Sequence, residues 1–245
     1  MKRLELLRVE GLPEVRAGDD LGAMIAERCT LEPGDVVVVA QKVVSKAEGR
    51  IVNIDHVTAG EEARRIATLL IARPDPRVVQ VVLDESVRVL RSERVLITET
   101  RHGFVCANAG VDHSNVGGEG RLALLPLDPD ASAARLRARL RELTGQEVGV
   151  IVSDTFGRPW RLGIVNVALG VAGMPAVYDL RGSHDDSGQM LHATVIAVAD
   201  EVAAAAGLAM GKTDRVPVVV ARGLELHGEG TGREIIRPAG EDLFR

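Results

Sequence analysis

Val148-Gly149-Val150-Ile151-Val152-Ser153-Asp154-Thr155 is an apolar, β-branched run that passes directly into a carboxylate and two hydroxyls. A run of this length and composition predicts a strand buried on both faces, with Ser153-Asp154-Thr155 at its carboxyl end. Val36-Val37-Val38-Val39-Ala40, after the turn Glu32-Pro33-Gly34-Asp35, predicts a second such strand. Gln41 to Arg50 follow as a polar loop. Crevices at strand carboxyl ends are common ligand positions in open α/β sheets.

Helical and extended signals mix around these two runs. Helices are expected over residues 21–29, 60–72 and 131–143, the last with its apolar stripe at Ala134, Leu136, Leu140 and Leu143. An Ala-rich helix is expected over 194–210, closed by Gly211. Strands are expected near 4–9, 87–90, 95–98 and 216–221, and 165–171 is a further apolar segment. Residues 78–83 fit either a strand or a second helix, and 102–120 read mostly as loop or strand end. The class is therefore α/β or mixed α+β, with no repeat, linker or low-complexity tract.

Composition narrows the function. The chain has 245 residues, 46% hydrophobic and 27% charged, as in globular domains. A net charge of −5 and only five aromatic residues argue against a nucleic-acid binder. No apolar run is long enough to span a membrane; Asp200 and Glu201 interrupt the longest candidate. Two cysteines, Cys29 and Cys106, and no signal-like N-terminus give a reduced, cytoplasmic protein as the expectation. Of 30 Lys and Arg residues only Lys2, Lys42, Lys46 and Lys212 are lysines. Three of these lie in Gly- or Ser-containing polar segments, where a compact ammonium suits phosphate oxygens.

Four constellations carry chemistry. Gln41-Lys42-Val43-Val44-Ser45-Lys46 could hold an anion, the alternative being a solvated loop. Asn108-Ala109-Gly110-Val111-Asp112-His113-Ser114-Asn115 offers Asp112 to a hard cation and Asn115 to a base or phosphate; the alternative is an Asx-type turn. Ser153-Asp154-Thr155 resembles a magnesium ligand pair, with Arg158 and Arg161 following as phosphate or carboxylate partners; the alternative is a structural cap. Gly211-Lys212-Thr213 is not a P-loop. Ala206 stands where the first glycine is required, and a helix precedes the segment rather than follows it. His184-Asp185-Asp186-Ser187-Gly188 reads as an acidic surface turn.

Taken in order, Ser45-Lys46-Ala47-Glu48-Gly49-Arg50, Asn108 to Asp112 with Ser114-Asn115-Val116, Ser153-Asp154-Thr155 with Gly157-Arg158, Ala199-Asp200-Glu201, Met210-Gly211-Lys212 and Val220-Ala221-Arg222-Gly223 resemble the coenzyme F420-0:γ-glutamyl ligase family. The resemblance runs from Gly11-Leu12-Pro13 to Arg222-Gly223 and is closest to the stand-alone type, a single module over 1–245, built as one unit or as two subdomains.

The resemblance implies a mixed α/β fold of mixed sheets with flanking helices, an intertwined homodimer, and GTP-dependent addition of L-glutamate through γ-linked amide bonds to the phospholactyl tail of coenzyme F420-0, by way of an acyl phosphate. It implies magnesium or manganese at two sites, with potassium assisting. By motif, Leu12, Pro13, Glu14, Val15, Gln41, Lys42, Lys46, Asn115 and the loop Met210, Gly211, Lys212, Thr213, Asp214, Arg215, Val216 would contact GTP. Asp112 and Asp154 would share one metal, Thr155 would serve a second, and Lys46 would join the two aspartates in catalysis. Arg158 or Arg161 would bind the substrate phosphodiester or the glutamate carboxylate. Two departures stand out: some relatives carry small hydroxyl residues at Gln41-Lys42, and some an acidic metal ligand at Lys212. The competing readings are a metal-dependent phosphatase or nucleotide hydrolase, and a non-catalytic GTP-binding protein.

Overall fold

The computed structural model describes residues 3–113, 116 and 118–242. Its centre is a five-stranded sheet in the order β1 (Glu5–Arg8), β12 (Val218–Arg222), β2 (Val36–Ala40), β8 (Gly149–Arg158) and β9 (Arg161–Ala172). Only β2 and β8 run parallel; the other pairs are antiparallel. The two apolar runs therefore lie side by side, Val36–Ala40 in register with Gly149–Ser153.

Alternation sorts their side chains to two cores. Val37, Val39, Val150 and Val152 meet α1 (Leu21–Ala26), α2 (Gln41–Ala47) and α5 (Pro129–Thr144) on one face. Val36, Val38 and Ile151 meet α6 (Val198–Met210) on the other, where Ala199, Val202, Ala203 and Ala206 pack against the sheet. A strand covered on both sides needs apolar residues at every position, which is why neither run alternates.

A third apolar cluster gathers α3 (Glu61–Leu69), α4 (Pro76–Asp84) and the ribbon of β3 (Ile51–Asn53) with β7 (Arg121–Ala123). Beside it stands a small antiparallel sheet of β4 (Ser86–Arg91), β5 (Ile97–Thr100) and β6 (Val105–Ala107). A last ribbon pairs β10 (Tyr178–Asp179) with β11 (Val195–Ile196). Among the described residues no helix is long and apolar enough to cross a membrane.

Two expectations need correction, and one left open is resolved. Gln41 to Arg50 is not a loop: α2 starts directly after β2, because Val44 fills the core and Gln41 and Ser45 are buried with it. Residues 78–83 are helix, with Asp75 accepting from the Arg77 N–H and Pro76 in the first turn. The strand holding Ser153-Asp154-Thr155 does not stop there. It continues to Arg158 and returns as β9, so these residues lie within a long hairpin and not at its carboxyl end.

That hairpin carries a bulge in its inner half and a second irregularity near its tip. Val152 pairs with Gly170 but Ser153 pairs with Ala168, so Leu169 is an extra residue on β9. Carboxylates from two helix starts hold the bulge. Asp200 Oδ1 in α6 accepts from the Ala168 N–H (2.8 Å), and Asp130 Oδ1 in α5 accepts from Val171 N–H (2.9 Å) and Gly232 N–H (2.6 Å). Gly170 is required here: a Cβ would lie 2.1 Å from the Pro129 carbonyl oxygen.

Candidate active site

Alternation along β8 places Asp154 and Thr155 on opposite sides of the hairpin. Asp154 shares the face of Val150 and Val152, and Thr155 that of Ile151. On the first side α2 presents two lysines one helical turn apart. Lys42 Nζ lies 2.7 Å from Asp112 Oδ2. Lys46 is mostly buried and pairs with Glu14 of the segment before α1. Leu12 and Val15 of that segment pack in the core, which leaves Pro13 and Glu14 at the surface.

Asp112 is fixed by its backbone, which exchanges both hydrogen bonds with Ala123 (3.0 and 2.7 Å). The approach to it is unusual. Asn108, Ala109 and Gly110 have φ of 53°, 53° and 70°, a left-handed turn that costs energy at an alanine. A Cβ at Gly110 would come within 2.7 Å of Leu125. Gly110 is thus a geometric requirement for delivering Asp112.

Asp112 and Asp154, 42 positions apart, meet electrostatically. Burial pushes the Asp154 carboxyl up to about 6, and the Asp112 charge acts in the same direction. The Thr155 backbone N–H and the ammonium groups of Lys212 and Lys42 pull it back. Cys106 lies near enough to feel Asp154. Its thiol is raised to about 12, chiefly by burial, and is unreactive at neutral pH.

On the other side, Thr155 Oγ1 donates to Asn166 Oδ1 (3.2 Å) and accepts from Lys212 Nζ (3.2 Å). Lys212 stands in the loop after α6. Gly211 turns that loop with φ 62°, and Asp214 is tied to Arg8 at 2.9 Å. Met210 and Val216, the loop's ends, are buried; Gly211 to Arg215 are exposed.

The remaining expected residues are placed as follows. Gln41 is buried, accepting from Ser45 Oγ at 2.8 Å. Arg158 and Arg161 sit at the exposed hairpin tip, where Arg158 donates to the Leu162 carbonyl (2.7 Å). Four extended residues put Arg158 about 13 Å along the strand from Asp154. Asn115 lies outside the described residues. Asp185 caps its own surface turn. Asn166 was not foreseen from sequence; a lone amide inside the apolar run 165–171 was its signal.

The arrangement suits a hard divalent cation. Two oxygen-donor carboxylates lie within electrostatic reach of each other, one of them reluctant to ionise without a counter-charge, and few protein ligands leave room for water and phosphate oxygens. Among the described residues no cluster of three or more His, Cys, Asp or Glu competes with this pair.

Comparison with known proteins agrees with the motif order. The family described as F420-0:Gamma-glutamyl ligase matches residues 11–223. The chain is 48% identical to coenzyme F420:L-glutamate ligase of Archaeoglobus fulgidus, over 99% of this chain and 97% of the relative. It is 46% identical to the protein of that name from Methanopyrus kandleri over the full length of both, and 42% identical to that from Methanocaldococcus jannaschii over 100% and 98%.

Proposed function

This chain belongs to the F420-0:gamma-glutamyl ligase family, and from that premise we propose how its residues serve the reaction. It is a ligase of coenzyme F420 biosynthesis that joins L-glutamate to F420-0. A carboxylate is a poor electrophile and must be activated before an amine can attack it. The lactyl carboxylate of F420-0 attacks the γ-phosphorus of GTP, the bridge to the β-phosphate breaks, and GDP leaves. The glutamate amine then attacks the acyl carbon, inorganic phosphate departs, and the amine loses its proton. The product carries a new amide bond.

Phosphoryl transfer of this kind needs positioning and charge neutralisation more than a protein nucleophile. Asp112 and Asp154 would hold a magnesium or manganese ion, which supplies positive charge to the transferring phosphoryl group. Lys42 and Lys46 on one face of α2 act on the nucleotide phosphates. Each is paired with a carboxylate here, Asp112 and Glu14, so phosphate exchanges for a carboxylate already in place. The exposed loop Gly211 to Arg215 folds over the nucleotide from the other side.

The meeting of Asp112 with Asp154 beside two lysines carries this reading. Its test is one incubation of the protein with F420-0, L-glutamate, GTP and manganese. Mass spectrometry should show glutamyl additions, with one GDP and one phosphate released for each. GTP turnover that ignores glutamate overturns it.

A further inference from the structure

We propose that Lys212 replaces a second metal ion: its ammonium, held against Thr155 Oγ1, supplies the positive charge on the nucleotide phosphates opposite the Asp112–Asp154 cation. The proposal rests on the nucleotide reading above. The two-metal expectation requires Thr155 to serve the second ion, and the groups around Thr155 do not suit one. Its hydroxyl proton is directed to Asn166 Oδ1 and its oxygen already accepts from Lys212 Nζ, both at 3.2 Å. The Asn166 amide nitrogen donates to Met210 Sδ at 3.6 Å, and Asn166 packs closely over Gly207, where a Cβ would lie 3.0 Å from its Cγ. A neutral amide and an ammonium therefore engage the Thr155 hydroxyl, and a thioether backs the amide. None is the hard anionic donor that magnesium or manganese takes.

The one acid of the loop is engaged by another partner. Asp214 lies under Gly211 and is engaged by Arg8 at 2.9 Å. An ammonium has no lone pair and cannot be a ligand; it can only take the ion's place. Residue choice supports this. The chain uses arginine for nearly all its cations, yet a lysine stands here, with the compact charge that most resembles an ion. Phosphates bridging the hairpin would meet a metal ion and Lys42 on the Asp154 side, and Lys212 on the Thr155 side.

The test counts bound Mn2+ per chain by equilibrium dialysis, with and without the β,γ-imido analogue of GTP. Wild type should saturate at one Mn2+ per chain, and Lys212→Glu, in an exposed loop that leaves the fold intact, should bind two. Lys212→Met should stay at one while kcat falls about 100- to 1,000-fold. Two Mn2+ per wild-type chain, or only one in Lys212→Glu, overturns the proposal. Failure of wild type to bind the analogue overturns the nucleotide reading and with it the role of Lys212 on phosphate, while the count in Mn2+ alone then decides only whether Lys212 takes the place of a second ion.

Discussion

Asp154 is kept at a cost to the fold. Its carboxyl titrates at about 6 in place of its ordinary 3.8, chiefly through burial. The folded state thus holds the proton more tightly than the unfolded one. The resulting stability is fully present below about pH 4 and is lost as pH rises through about 6, in total up to about 3 kcal/mol. Without metal, Asp154→Asn should therefore raise the melting temperature at pH 7.5 and change it little at pH 4.5, while abolishing glutamyl transfer. Manganese should raise the melting temperature of wild type at pH 7.5 and leave that of the variant unmoved. An equal manganese response in both would remove Asp154 from the metal site. Gly110→Ala sets a Cβ against Leu125 at a left-handed position. It should lower stability by roughly 1–3 kcal/mol and weaken manganese binding, because Asp112 is delivered by that turn.

At the scale of elements, the β9 bulge and its two carboxylates govern the site. Asp130 satisfies two backbone N–H groups and Asp200 one. Asp130→Ala should cost about 2–3 kcal/mol in chemical denaturation and Asp200→Ala about half as much. Asp200→Ala should also lower kcat more than it raises the glutamate KM, since Ser153, the residue beside Asp154, pairs with Ala168. Much of this level was legible in the sequence. β2 and the first half of β8 announce themselves as β-branched runs, and α5 by its stripe. The second half of β8 was not, because Gly157-Arg158-Pro159 reads as a turn that closes a strand at Thr155. Helix α2 was hidden by polarity: Gln41, Ser45 and Lys46 look solvated but are buried, a tertiary effect that local pattern does not carry. The Asp112–Asp154 pair itself came from motif order, since spacing along the chain says nothing about which distant carboxylates converge.

For the whole molecule, the hairpin tip is a prominent exposed apolar feature. Trp160 is 87% exposed, Leu162 96% and Ile164 59%, all on a ribbon that extends past the sheet. Large apolar groups in so prominent a place fit the homodimer that the family resemblance implies, with the tip as the surface that would meet a second copy. Trp160→Arg with Leu162→Arg should halve the mass measured by light scattering while leaving far-UV circular dichroism unchanged. An unaltered mass would place the dimer contact elsewhere. Because neighbours in a strand point to opposite faces, this hairpin works as a partition whose two compartments are assigned by parity. One residue inserted between Val152 and Asp154 would exchange the carboxylate with the hydroxyl, delivering acid to the Lys212 side and alcohol to the Lys42 side. Two residues inserted at Trp160 would preserve both addresses. Over evolutionary time such a ribbon can lengthen at its tip in even steps, but its inner half is locked.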